Sequence, residues 1–365
     1  MRAIVTVLDS LNQTTMPYNE FILYREKYYK QERQIVFLTG NEVLIPEDEI
    51  PKSLEIHKVG KNPVVIHREL VSLVSRLEIQ NEVYVIHLHS IRGTFSTLIA
   101  MIGTKCRFHT VYTVHSTFTG YRLHNKVMSL FDAFVSHYVT CVSNTSYKAF
   151  PRFVRNQKKN NMCVVENGVN LERIDDVIQR VGNKDEKIYI DCVYVARMVP
   201  LKNHKFLIDV LCNLESNIRF IFVGEESDDV RKYAEQLGVV DKIVFTGLIP
   251  REKVYDVLYK SDIYVSSSTL EGLPVSVLEA MYCGLPVVLS DIPQHREVAS
   301  NVEGALLVDF DVKRWAEAII YLCNMSESKR KALGNICRNH AKKEFSLRNM
   351  HRKYDFIYSE ILSRV

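Results

Sequence analysis

Apolar residues recur along the chain in two alternating rhythms. Short apolar runs predict buried strands at Ala3–Leu8, Gln34–Leu38, Val83–Leu88, His109–Val114, Tyr138–Val142 and Met162–Val165. Between them, apolar positions at three- and four-residue spacing predict helices at Pro63–Leu77, Thr94–Ile102, Asn125–Val135 and Ser146–Val154. The rhythm then repeats, with strands expected at Ile188–Val195, Arg219–Val223, Lys242–Phe245, Ile263–Ser266, Pro286–Leu289 and Ala305–Val308. The last stretch, Leu347–Val365, reads as one more amphipathic helix. Strand alternating with helix implies doubly wound parallel sheets with right-handed crossovers, an α/β fold. The polar stretch around Val181–Glu186 marks a connection, so two domains are expected, 1–183 and 184–346.

Composition narrows this picture without changing it. At 365 residues, each half is large enough to bury its own core. The 47% hydrophobic and 25% charged content is that of a globular chain, and no apolar run reaches the length of a membrane span. The opening MRAIVTVLDSLNQTT has too short an apolar core for a signal peptide and reads as a first strand. Eight scattered cysteines without a C-x-x-C pair point to reduced thiols in a cytoplasmic protein and against structural zinc. The net charge of +4 is uneven. Through Lys184 there are 23 basic and 17 acidic residues, against 24 and 26 in the remainder. A basic first half suits anionic lipid or a phosphate-bearing acceptor as well as it suits plain solvated surface, and no nucleic-acid partner is expected.

The densest candidate chemistry lies in SSSTLEGLPVSVLEAMYCGLPVV, from Ser266 to Val288. A strand ends, Gly272 and Pro274 break the chain, and V-x-x-L-x-x-M spacing starts a helix near Val275. The start of that helix, Gly272-Leu273-Pro274-Val275, offers backbone N–H groups and the positive end of a dipole to an anion. Glu271 precedes the helix and Glu279 lies within it, about 12 Å apart at helical rise. That separation is too long for a shared proton. It matches a ligand with hydroxyls at both ends and a diphosphate between: Glu279 on a ribose diol, Glu271 on a second sugar. On this spacing Glu271 is expected to leave binding of the bare nucleoside diphosphate unchanged. A second cluster, V-Y-V-A-R-M-V-P-L-K-N-H-K-F, places Arg197 and Lys202 in a strand-to-helix turn, two cations suited to a diphosphate. His204 and Lys205 are expected to stay peripheral. His115 closes the strand V-Y-T-V at its carboxyl end, where open α/β sheets bind ligands. His87 and His89, in H-L-H-S, are expected on opposite faces of their strand, which makes a metal pair improbable.

E-G-L-P-V-S-V-L-E-A-M followed by G-L-P-V-V resembles the E-x7-E signature of retaining glycosyltransferases of family four. The resemblance implies the GT-B fold: two Rossmann-like doubly wound domains facing each other across a cleft, with the helix 347–365 crossing back onto the first domain. R-M-V-P-L-K-N resembles that family's phosphate-gripping turn, with Ala196 where a glycine is usual. His115 resembles a histidine facing the donor sugar, Gly224 a glycine beside the nucleotide, and Leu248 and Ile249 a segment whose backbone cradles the base. The chain departs from the family after its first strand: LDSLNQTTMPYNEF holds no glycine. Ser10, Asn12, Thr14 and Thr15 offer side-chain donors to acceptor or phosphate there instead.

The resemblance implies transfer of a hexosyl or N-acetylhexosaminyl group from a nucleoside-diphosphate sugar, a UDP-sugar favoured, to a glycan or lipid-linked glycan. The setting implied is bacterial surface-polysaccharide assembly, in the cytoplasm or at the inner membrane face. Glu271, His115, Arg197 and Lys202 are the catalytic candidates. No metal and no cofactor is expected, because cations and a helix end meet the leaving diphosphate. The competing readings are a non-catalytic nucleotide-sugar-binding partner and a phosphorylase or isomerising enzyme of the same fold. Donor sugar, base, acceptor and oligomeric state are not legible in the sequence.

Overall fold

The computed structural model describes residues 2–12, 17–44, 50–104, 106, 108–182 and 188–363. They fall into two compact units, one of 1–167 with 347–365 and one of 168–346.

The first unit runs β1 (Arg2–Asn12), α1 (Pro17–Tyr28), β2 (Glu32–Leu44), β3 (Glu55–Lys58), α2 (Pro63–Ile79), β4 (Val83–Leu88), α3 (Ile91–Met101), β5 (Thr110–Val114), α4 (Leu123–Val135), β6 (Tyr138–Cys141), α5 (Asn144–Ala149), α6 (Arg152–Gln157) and β7 (Met162–Val164). Its seven strands are all parallel, in the order β3-β2-β1-β4-β5-β6-β7. Along β1, Ala3, Val5 and Val7 enter one apolar core with Leu70, Leu73 and Leu98, while Ile4 and Leu8 enter another with Phe21, Met350 and Ile357. Both faces of the sheet are therefore covered, which is why its strands read as continuous apolar runs.

The second unit runs α7 (Leu171–Val181), β8 (Ile190–Val195), α8 (His204–Leu211), β9 (Ile218–Val223), α9 (Asp228–Gln236), β10 (Ile243–Phe245), α10 (Arg251–Lys260), β11 (Ile263–Ser266), α11 (Val275–Tyr282), β12 (Val287–Ser290), α12 (Pro293–Ala299), β13 (Ala305–Val308), α13 (Val312–Cys323) and α14 (Glu327–Glu344). Its sheet is parallel in the order β10-β9-β8-β11-β12-β13. Counted from its own first strand this is 3-2-1-4-5-6, the doubly wound order, and the first unit follows the same order with one strand more. The fold class expected from the sequence is the one observed.

The last helix, α15 (Leu347–Ser363), belongs to the first unit. Tyr354 OH lies 3.1 Å from Thr113 Oγ1, and Tyr358 OH bonds His87 Nδ1 at 2.6 Å. The fully buried Arg25 pairs with Glu32 at 2.6 Å and with Asp355 of α15 at 2.8 Å, and stacks 4.2 Å over the Tyr29 ring. Two carboxylates and an aromatic face offset the desolvation of that guanidinium.

Several local expectations are corrected. β1 continues to Asn12 past a register shift between Leu8 and Ser10, so Ser10 and Asn12 stand in a strand rather than a loop. The helix expected at Ser146–Val154 is two helices, because Pro151 has no N–H and holds Phe150 extended, at ψ 146°. β3, EIHK, was not expected: it lacks an apolar run and exists as the edge partner of β2. The units divide at Asn167/Gly168 rather than at 183/184. Helix α7 is tied into the second unit by Tyr282 OH on Asp175 (2.7 Å), Arg338 on Asp175 (2.5 Å) and Arg173 Nε on Glu252 (2.8 Å).

Candidate active site

In the second sheet the chain reverses its winding between β8 and β11, which lie side by side. The loops leaving the carboxyl ends of these two strands carry Arg197 and Lys202 on one side and Glu271 on the other. Open α/β sheets bind ligands at such a switch point. Lys202 closes a short 3₁₀ turn, Pro200–Lys202, and its Nζ donates to Glu271 Oε1 at 2.5 Å. Sequence spacing did not anticipate this contact: the lysine and the glutamate, assigned to different parts of a ligand, hold each other.

The backbone beneath the lysine is pinned by residues that carried no assigned role. Ser267 Oγ donates to the carbonyls of Lys202 (3.1 Å) and Asn203 (3.0 Å), Tyr194 OH to that of Lys202 (3.0 Å), and Thr269 N to that of Leu201 (2.9 Å). Ser268 and Ser290 extend this network to the buried His295, whose Nδ1 lies 2.8 Å from the Ser290 carbonyl. Burial lowers the pKa of His295, so the ring is neutral at pH 7. The small polar run Ser266–Thr269 thus fastens the β8 loop to the β11 loop and fixes where Lys202 stands. Arg197 is exposed at the start of the same loop.

Gly224 is explained by close approach. Its φ is +143°, and a Cβ there would lie 2.3 Å from the Ala196 carbonyl oxygen. The glycine lets β9 end against the β8 loop, where Ala196 N bonds the Val223 carbonyl and Met198 N that of Glu225. Leu248 is exposed and Ile249 half-buried, in the segment between β10 and α10. His204 is not peripheral. It is buried between Tyr194 and Phe222, ring centroids 4.7 and 5.1 Å away, and burial takes its pKa down to about 3. Lys205 pairs with Asp229 at 2.7 Å.

Helix α11 begins at Val275 with Pro274 as its N-cap residue, and no side chain caps it. Gly272 and Leu273 lead into this start. Glu279, one turn further on, is only 3% exposed. Its Oε1 accepts from Arg251 Nη2 and from Tyr255 OH (3.1 Å), and Arg251 Nε donates to Tyr255 OH at 3.0 Å. Arg251 and Tyr255 were missed. Their i, i+4 spacing at the start of α10 was visible, but nothing local ties them to a glutamate 28 residues on.

In the first unit, His115 follows β5 and its Nε2 lies 2.9 Å from His89 Nδ1 in a hydrogen bond. Burial lowers the pKa of His115 to about 3 and that of His89 well below 6.5, so both are neutral. His87 and His89 do not point to opposite faces: their ring centroids are 3.9 Å apart. Residues i and i+2 of a strand share a face. His87 is spent on Tyr358 and Thr113, and His89 supports His115. Ser10 is half-buried near the end of β1, the side chain of Asn12 is not among those described, and Thr14 and Thr15 lie outside the described residues. Among the described residues, no group of three or more His, Cys, Asp or Glu side chains is placed to hold a metal ion.

Two parallel sheets in doubly wound order, the second with cations and carboxylates at its switch point, define the GT-B class of architecture. Residues 178–340 match the family model described as Glycosyl transferases group 1. The chain is 27% identical to the putative glycosyltransferase EpsF of Bacillus subtilis over 188 residues, an alignment spanning about half of each protein, 48%. It is 24% identical to an Escherichia coli UDP-Gal:alpha-D-GlcNAc-diphosphoundecaprenol alpha-1,3-galactosyltransferase, over 81% of this chain and 80% of that one. Among solved structures it resembles Anabaena Alr3699/HepE in complex with UDP and glucose, with a TM-score of 0.76, 18% identity and 99% of both chains covered. Fold and comparisons together support a GT-B glycosyltransferase.

Proposed function

We propose that this chain transfers a glycosyl group, with retention, from a UDP-sugar to a glycan or lipid-linked glycan acceptor. The observation that carries the reading is the meeting of Lys202 and Glu271 across the β8 and β11 loops, at the switch point of the second sheet. A UDP donor is favoured because the E. coli relative is named for UDP-Gal and the HepE structure holds UDP.

In this reading Arg197, Lys202 and the amino end of α11, from Gly272 to Val275, receive the diphosphate and stabilise its charge as it leaves. Glu279 accepts from the ribose. Gly224, Leu248 and Ile249 border the nucleoside. Glu271 and the neutral His115 position the sugar. Ser10, Asn12, Thr14 and Thr15 serve the acceptor side. The reaction needs no divalent metal and no cofactor, since fixed cations and backbone N–H groups do the electrostatic work. No described helix is long and apolar enough to cross a membrane. The basic first half of the chain favours docking on an anionic membrane surface at the inner face, where a lipid-linked acceptor would lie.

The test is single-turnover release of UDP from a panel of UDP-sugars, with and without lipid-linked glycan acceptors. Acceptor-dependent release supports the reading. UDP-sugar binding with no release under any condition would make the chain a non-catalytic binding partner. Release dependent on inorganic phosphate would make it a phosphorylase.

A further inference from the structure

Arg251 stands where two parts of the second unit meet. It is the first residue of α10, immediately after the segment Gly247–Pro250 that carries Leu248 and Ile249. Its guanidinium reaches across to α11, where Nη2 donates to Glu279 Oε1. The same oxygen accepts from Tyr255 OH at 3.1 Å, and Arg251 Nε donates to that hydroxyl at 3.0 Å. The arginine also lies 5.2 Å from the centre of the Tyr255 ring. Arginine, tyrosine and glutamate thus form a closed triangle, one helical turn of α10 gripping one carboxylate of α11.

The carboxylate needs that grip. Glu279 is 3% exposed, and a buried carboxylate without a counter-charge carries a heavy desolvation penalty. Two donors on one oxygen also fix the rotation of the carboxylate plane, and with it the direction from which a ligand hydroxyl can approach. A surface ion pair would do neither: the Arg251 side chain is itself only 16% exposed.

We propose that Arg251, with Tyr255, is a positioning residue that sets the preference of this site for ribose over deoxyribose nucleotides, by holding the Glu279 carboxylate aimed at the ribose hydroxyls. The inference rests on the reading of Glu279 as the ribose acceptor. Because α10 also begins where the base segment ends, the same arginine joins the position of the base to the position of the sugar. A nucleotide lacking the 2′-hydroxyl forgoes a hydrogen bond to the aimed carboxylate, and sites built to bond a hydroxyl reject the analogue that lacks it.

The experiment is calorimetric titration of the full chain with UDP and with 2′-deoxy-UDP, for the wild type and for Arg251→Met, Arg251→Lys and Tyr255→Phe, each first checked for folding by thermal melting. The wild type is expected to prefer UDP by roughly tenfold or more. Arg251→Met should bring the two affinities to within about twofold by weakening UDP alone, Tyr255→Phe should narrow the gap less, and Arg251→Lys should restore part of it. A purely structural arginine would weaken both nucleotides equally and keep their ratio, and that result overturns the proposal. So does a wild type that binds both equally. A wild type that binds neither nucleotide refutes instead the nucleotide site on which the inference rests. Should Arg251→Met not fold, Tyr255→Phe decides by the same ratio.

Discussion

Replacing Glu271 with glutamine keeps the shape of the side chain and removes the charge that occupies Lys202. The Lys202 ammonium lies 2.5 Å from Glu271 Oε1, with the two side chains 23% and 12% exposed. A diphosphate that takes Lys202 must part this pair and then sit beside the displaced carboxylate. Two like charges about 5 Å apart repel by about 3 kcal/mol at an effective dielectric constant of about 20. The lysine between them offsets most of this, and solvent at a partly exposed site screens more. A net penalty of about 1 kcal/mol remains in the wild type, which corresponds to roughly fivefold in affinity. Glu271→Gln should therefore bind bare UDP about fivefold more tightly, while kcat with the intact donor falls by roughly ten- to a hundredfold because the sugar loses its positioning group. Isothermal titration with UDP at low and at physiological salt reads the first effect, and the gain should shrink as salt rises. In a Lys202→Ala background the gain should largely disappear, since it acts through the lysine. Unchanged or weaker UDP binding in Glu271→Gln, or an equal gain without Lys202, would refute the reasoning. The contact also changes what spacing alone implied, namely that Glu271 leaves bare-nucleotide binding untouched.

Three further outcomes are expected. Lys202→Ala and Arg197→Ala should each weaken UDP binding by about 1.5–3 kcal/mol, the range for a charged hydrogen bond, read by the same titration. Turnover should survive EDTA and gain nothing from manganese, measured as UDP release after chelation and metal add-back. Asp132, on α4, is wholly buried, neither carboxylate oxygen has a hydrogen-bond partner among the described residues, and burial pushes its pKa up to about 9. The folded chain then holds a proton that the unfolded chain gives up near pH 4. The contribution of this one group to stability is full below that pH and is lost as pH rises toward 9. Asp132→Asn should therefore raise the melting temperature more at pH 8 than at pH 5, by calorimetry or circular dichroism.

Local pattern determined much of this protein. Strand, loop and helix around Glu271 and Glu279 are spelled out by apolar spacing, Gly272 and Pro274, and β4, β11 and β13 have the limits the sequence predicts. These features are short-range: a run of four apolar residues, or a proline in a helical pattern, carries its own consequence. The same logic failed where a neighbour decides. The strand EIHK exists because β2 offers it an edge, and β1 runs on past Leu8 because β2 continues beside it. Tertiary structure alone decided the pairs that make the candidate site. Lys202 and Glu271 are 69 residues apart and meet because β8 lies next to β11. Arg251 and Glu279 meet because α10 packs on α11, and Arg25 finds Asp355 330 residues away because α15 returns to the first unit. Apolar periodicity reports which face of an element is buried. It carries no record of which element lies opposite, and a charge finds its partner only once strand order has placed the two loops together.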